Sequence, residues 1–199
     1  IYENWRWQTP IRELRRVLAS GQIGNVFRAR IDYCNSFPVF DNQPALKQEE
    51  RFILADMGSH IFDVARFLFG EVASIGCHTH RVHSDIKGED VATALLQMRS
   101  GAAVTCNLSY ASRVEHDRFP ETFVFIEGTE GAAELGPDYW LRVTTRDGTT
   151  AHRCPPPFYT WADPRYALVH SSIVDCQRDL LRHLSGQGCA ETTGEDNLN

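Results

Sequence analysis

From Val72 to about Arg153 the chain alternates short apolar and polar runs with turn signals, and no other stretch constrains the fold as strongly. Arg99-Ser100-Gly101 separates the alternating runs Val91–Met98 and Ala103–Tyr110. Gly128-Thr129-Glu130-Gly131 and Asp147-Gly148 mark further hairpins. Strands joined by such short turns pair antiparallel, because a parallel pair needs a crossover of about a dozen residues or more. A doubly wound parallel sheet is therefore excluded here. Pro155-Pro156-Pro157 ends the sheet, since proline donates no ladder hydrogen bond.

The flanking segments supply helices. Thr9 as N-cap, Pro10 in the first turn and Gly21 as terminator predict a helix from Pro10 to Ser20, with Ile11, Leu14, Val17 and Leu18 buried. A half-buried strand follows, with Phe27, Ala29, Ile31 and Tyr33 on one face and Arg28, Arg30 and Asp32 on the other. The stretch from Asn35 to Arg51 reads as a long loop, and loops of that length are usually functional. A second helix ends at Gly70, and a last one spans about Arg165 to Leu184 with Leu168, Ile173, Leu180, Leu181 and Leu184 apolar. The expected architecture is α+β: an open, mostly antiparallel sheet with helices on one face, and an opposite face that must be polar or covered.

Composition narrows the partners. A formal net charge of −6 without any basic run argues against nucleic acid. No apolar run approaches twenty residues, so no membrane-spanning helix is expected. The six cysteines are scattered without a C-x-x-C pair, which suits reduced thiols and a cytoplasmic location. His78 and His80 share a strand face while Cys77 points the other way, so Cys77 to His83 is read as a polar strand face and no metal site is expected.

The chemistry concentrates in Asp56-Met57-Gly58-Ser59-His60-Ile61-Phe62-Asp63. Wound as a helix, this segment puts Asp56, His60 and Asp63 on one stripe, with Met57, Ile61, Val64 and Leu68 turned toward a core. A carboxylate four residues before a histidine can orient the ring and make it a general base; a merely solvated helix face is the competing account. Asp63 is equally suited to binding a substrate hydroxyl or to bracing the backbone nearby. The polar loop holding Arg113, His116, Asp117 and Arg118 offers His116 and Arg118 as substrate contacts, against a solvated turn.

These segments resemble one family throughout. Asp56 to Asp63 is similar to the D-x-G-x-H-x-x-D segment in the second domain of the glucose-fructose oxidoreductase / inositol dehydrogenase / MocA family of nicotinamide-dependent enzymes. Glu3-Asn4-Trp5-Arg6-Trp7-Gln8-Thr9-Pro10 resembles the segment leaving that family's cofactor domain. Ser20 to Val26, Gly88-Glu89-Asp90-Val91-Ala92 and Phe125 to Gly131 resemble later landmarks in the same order. The chain lacks G-x-G-x-x-G and the family's glutamate-lysine-proline segment, and Lys47 and Lys87 are its only lysines. The resemblance thus implies that residues 1–199 are a fragment, the substrate-binding and oligomerisation domain of a longer enzyme.

What the resemblance implies is an NAD(P)-dependent dehydrogenase acting on a secondary alcohol of a sugar or cyclic polyol. His60 would be the general base, Asp56 would orient it, and Arg6 matches a basic position near the active site, with an inter-domain ion pair as its other reading. NAD or NADP would be bound mainly by the missing domain, which would also supply a lysine, and the fragment alone would be inactive. A homo-oligomer through the open sheet face is implied too. The alternative function is a non-catalytic sensing or regulatory module of the same family. Relatives that open glycosidic bonds or reduce an imine or linear tetrapyrrole form a third possibility.

Overall fold

The computed structural model describes residues 3–115 and 119–198. Among these residues eight strands form one sheet: β1 Val26–Cys34, β2 Val72–His80, β3 Val91–Met98, β4 Ala103–Ser109, β5 Phe123–Gly128, β6 Gly131–Gly136, β7 Trp140–Thr145 and β8 Gly148–Arg153. Their order is β2-β3-β4-β1-β5-β6-β7-β8. Every neighbouring pair is antiparallel except β1 with β4. The exception follows from connectivity. After β1 the chain crosses to the far edge through a helix, and the β2-β3-β4 meander then returns to lie beside β1. The hairpins read from sequence fall where expected, and the α+β class holds.

One sheet face carries the core. Ala29, Ile31 and Tyr33 of β1, Ala94 and Leu96 of β3, and Val104, Cys106 and Leu108 of β4 are buried there. They join one apolar cluster with Ile11 and Leu14 of helix α1 (Thr9–Ser20) and with Ile61, Val64, Ala65 and Leu68 of helix α3 (Ser59–Phe69). The opposite face is open and mostly polar, with Leu95 exposed on it. Arg28 pairs with Glu127, Arg30 with Asp32, and Asn107 donates to Asp32 at 2.7 Å.

Four local expectations need correction. Gln8, not Thr9, precedes α1, and no side chain caps the helix; Gly21 closes it at φ 72°. Phe27 is half exposed rather than inward-facing, because the β1–β5 register shifts between Val26 and Arg28. The long loop contains a short helix α2 (Val39–Asn42) and a 3-10 turn (Pro44–Gln48). Helix α4 (Ala167–Leu184) is preceded by a 3-10 turn (Pro164–Tyr166), and of its apolar stripe Leu168 is buried while Ile173, Leu181 and Leu184 are exposed.

Polar residues on the same side as Leu168 dock the rest of α4. Ser172 accepts from Asn4 at 2.7 Å, Cys176 donates to the Glu3 carbonyl at 3.3 Å, and Asp179 accepts from the Glu191 amide at 2.8 Å. Buried groups of this kind must be hydrogen-bonded, and here they are. Leu181 and Leu184 are left 63% and 72% exposed.

Candidate functional site

The helix bearing Asp56 and His60 opens with a π turn, Leu54–Gly58, before continuing as α3. Single π turns inside helices occur often at functional sites. The turn is pinned to the loop before β3: the Ile53 amide donates to the Glu89 carbonyl at 3.0 Å, and the Leu54 amide to the Glu89 carboxylate at 3.2 Å. Gly88 permits this approach. A Cβ there would lie 2.8 Å from the Glu49 carbonyl oxygen and 2.9 Å from the Phe52 nitrogen.

The three polar residues of the motif then go separate ways. The His60 Nδ1–H donates to Glu3 Oε1 at 2.6 Å, and the same oxygen accepts the Trp5 amide at 2.9 Å. The Trp5 indole stacks on the imidazole, with centroids 4.5 Å apart and planes at 28°, and its own N–H donates to Thr122 at 3.0 Å. A carboxylate accepts only, so it fixes the proton on Nδ1 and leaves a lone pair on Nε2 when the ring is neutral. The His60 side chain is 25% exposed.

Asp56 does not make the orienting contact that its spacing predicts; Glu3 does. From the π turn, the Asp56 carboxylate instead accepts the Tyr110 hydroxyl at 2.9 Å. Burial pushes the Asp56 carboxyl above the usual carboxylate range, while the Tyr110 hydrogen bond and the charge of His60 pull it down. Its link to His60 is thus electrostatic. Tyr110 stands edge-on to Tyr33 and stacks with Phe52, so Asp56 rests on a buried aromatic floor.

Asp63 faces inward. Arg6 grips it through two donors, Nε to Oδ2 at 2.8 Å and Nη2 to Oδ1, while Nη2 also donates to Asp196 at 2.8 Å. Both partners of the Arg6–Asp63 pair are buried. Burial works to lower the Arg6 guanidinium, yet Asp63 and Asp196 carry it above its ordinary value. In this arrangement Arg6 and Asp63 brace the chain.

A cleft of about 620 Å³ adjoins Tyr110, with Phe37, Phe40, His83 and Arg113 among its walls. His116, Asp117 and Arg118 lie outside the described residues, while Arg113 of the same predicted loop lines this cleft. Sequence reasoning missed Glu3, Trp5 and Tyr110. Glu3 and Trp5 lie within a segment whose resemblance was legible, but nothing local marks either as a partner of His60. Among the described residues no three His, Cys, Asp or Glu side chains converge as metal ligands, and no helix is long and apolar enough to cross a membrane. All six cysteines are thiols rather than disulfides, and burial pushes the Cys106 thiol up to about 12.

Comparison with known proteins gives a consistent picture. Residues 11–134 match the GFO/IDH/MocA C-terminal domain. A D-apiose dehydrogenase of Paraburkholderia graminis is 43% identical over 198 residues, covering 100% of this chain and 53% of its own length. A D-apiose dehydrogenase of Rhizobium rhizogenes is 41% identical, with 100% and 57% covered. The chain spans about half the length of these curated relatives. An oxidoreductase from Agrobacterium radiobacter, solved in complex with NAD+, L-tartaric acid and magnesium, superposes with a TM-score of 0.96 at 42% identity, covering 98% of this chain and 57% of that one. Levoglucosan dehydrogenase in complex with NADH and levoglucosan shares the fold, with a TM-score of 0.76 at 16% identity over 98% of this chain and 58% of its own.

Proposed function

This chain belongs to the GFO/IDH/MocA family, as its C-terminal domain, and from that membership we propose that it is the substrate half of an NAD-dependent sugar dehydrogenase. D-apiose, the substrate named for the two curated relatives, is the first candidate. The observation carrying this reading is the state of His60: Nδ1 committed to Glu3, which leaves the lone pair on Nε2, in a side chain 25% exposed.

In the forward direction Nε2 takes the proton of a secondary hydroxyl as the carbonyl forms. Glu3 balances the imidazolium so produced, the role of a carboxylate beside a catalytic histidine. Trp5 holds the ring plane, and Asp56 adds negative charge one turn away. A bound nicotinamide would accept the hydride from the same carbon. Among the described residues no strand–glycine-turn–helix unit offers a dinucleotide its pyrophosphate cradle, so the rest of a longer protein would hold the cofactor. This chain's share of the reaction is the proton and the sugar. The open face, where Leu95 is exposed and Phe125 half-buried between the charged pairs, suits a homo-oligomeric interface.

The test is nicotinamide absorbance, followed in the two-domain protein over D-apiose and a panel of sugars and polyols, for wild type and His60→Ala. Turnover that falls about a hundredfold or more in the variant is expected. No turnover on any substrate, with sugar still bound equally by both proteins, would overturn the dehydrogenase and favour a ligand-sensing module.

A further inference from the structure

We propose that His83, held by Asp90, is a sugar-contacting residue that governs substrate affinity in the cleft beside Tyr110; this deepens the sugar-binding reading above and rests on it. Nothing in the motif around His60 points to His83, which lies beyond the end of β2. Its surroundings do.

Asp90 is 0% exposed, and its carboxylate takes three donors. The Val82 amide donates to Oδ1 at 2.7 Å, the His83 amide to Oδ2 at 3.0 Å, and the His83 Nδ1–H to Oδ2 as well. The two amide bonds hold the turn's backbone. The third reaches a side chain that is 42% exposed and fixes which of its nitrogens carries the proton. A charge removed from water is costly unless it is paired and fully hydrogen-bonded, so this carboxylate holds its position strongly. It is also kept below the usual range: burial raises it, but the two amides and His83 outweigh that.

With Nδ1 turned to Asp90, Nε2 of the neutral ring is an acceptor at the cleft wall. The rest of that wall suits a sugar. Phe37 and Phe40 offer apolar surface for C–H faces, and Phe40 meets the His83 ring edge-on at 6.1 Å and 76°. Arg113 contributes donors only. The Tyr110 proton is already given to Asp56. A sugar hydroxyl that needs an acceptor finds one in His83, and Tyr110 connects the cleft to the carboxylate one turn from His60. A cleft of about 620 Å³ lies within the range that encloses small ligands.

Two variants of the two-domain protein test this, His83→Phe and His83→Gln. Phenylalanine fills the same space beside Phe40 without an acceptor, whereas glutamine restores one. D-apiose and a panel of pentoses and hexoses would be titrated by calorimetry, with kinetics run on whichever sugar turns over and melting temperatures measured to verify folding. The expected result is a Kd and KM raised about tenfold or more in His83→Phe, with kcat within about threefold and His83→Gln recovering most of the affinity. Unchanged affinity in a folded His83→Phe overturns the proposal, as does a wild type that binds no sugar in the panel. Binding that depends on His83 without any nicotinamide reduction would sink the dehydrogenase and leave this proposal standing. Turnover indifferent to His83 would do the reverse.

Discussion

Glu3 Oε1 lies 2.6 Å from Nδ1 of His60, although fifty-seven positions separate the two residues. The same oxygen also accepts the Trp5 amide. One carboxylate atom therefore fixes both the tautomer of the base and the backbone that places the indole beneath it. No helical spacing could have disclosed this, because the carboxylate comes from the N-terminal segment and meets the helix only in the fold.

Two Glu3 variants separate its charge from its geometry. In Glu3→Gln an amide oxygen can keep both hydrogen bonds while the negative charge is lost, so kcat in the two-domain protein should fall only about tenfold. In Glu3→Leu the tautomer is no longer fixed, and a loss of about a hundredfold or more is expected. Steady-state kinetics on the same sugar decides it. Equal activity of both variants and wild type would remove Glu3 from the mechanism.

Asp56 carries a pH signature of the opposite sign to an ordinary paired carboxylate. Its folded-state pKa is raised by burial, with Tyr110 and His60 opposing. The folded state therefore holds this proton more tightly than the unfolded chain, whose group titrates near 3.8. The favourable contribution is complete below that value and is lost as pH rises through the folded pKa. Asp56→Asn, which can still accept the Tyr110 hydroxyl, should melt higher than wild type at neutral pH, with the gap narrowing toward pH 4. Thermal melts across that range would show it; a variant that melts lower at every pH would contradict the sign.

The sheet was legible because its signals are local. A turn of two or three residues between alternating runs specifies its own hairpin, and Gly128 to Gly131 needed no distant partner to be read. The motif helix was legible for the same reason, with Met57, Ile61, Val64 and Leu68 buried as its period required. What failed was long-range. Asp56 and His60 are four apart, yet a π turn and two remote partners, Tyr110 and Glu3, decide where each side chain points. On sequence alone Asp63 stands between a sugar ligand and a brace because nothing in its neighbourhood announces Arg6, the partner it meets in the fold. The α4 stripe failed in part: Leu168 is buried as read, but Ser172, Cys176 and Asp179 found hydrogen-bond partners on its side, and Leu181 and Leu184 stay exposed.

Gly88 tests how firmly the π turn depends on the loop before β3. In Gly88→Ala the new methyl would meet two backbone atoms, at 2.8 and 2.9 Å, and backbone cannot swing aside as a side-chain tip can. A loss of about 1–3 kcal/mol in chemical denaturation is expected from such overpacking. Because Glu89 of the same loop pins Ile53 and Leu54, kcat should fall as well, with the Asp56 carboxylate displaced from Tyr110. A variant as stable as wild type would mean that the loop and helix yield easily.

The Arg6–Asp63 pair offers the sharpest distinction between bracing and substrate binding. Both groups are buried and joined by two hydrogen bonds, with Asp196 as a further partner of Arg6. Removing one partner leaves the other charge desolvated and short of its counter-ion, which typically costs about 3–5 kcal/mol. Asp63→Leu and Arg6→Met should each destabilise strongly. The double variant should recover much of the loss, because two apolar side chains leave no stranded charge at the pair. Urea denaturation of the four proteins gives the coupling directly. Wherever the variants fold, KM for the sugar should stay within about twofold of wild type. A KM raised tenfold in Asp63→Leu without loss of stability would instead make Asp63 a ligand of the substrate, and the ion pair with Arg6 incidental to its role.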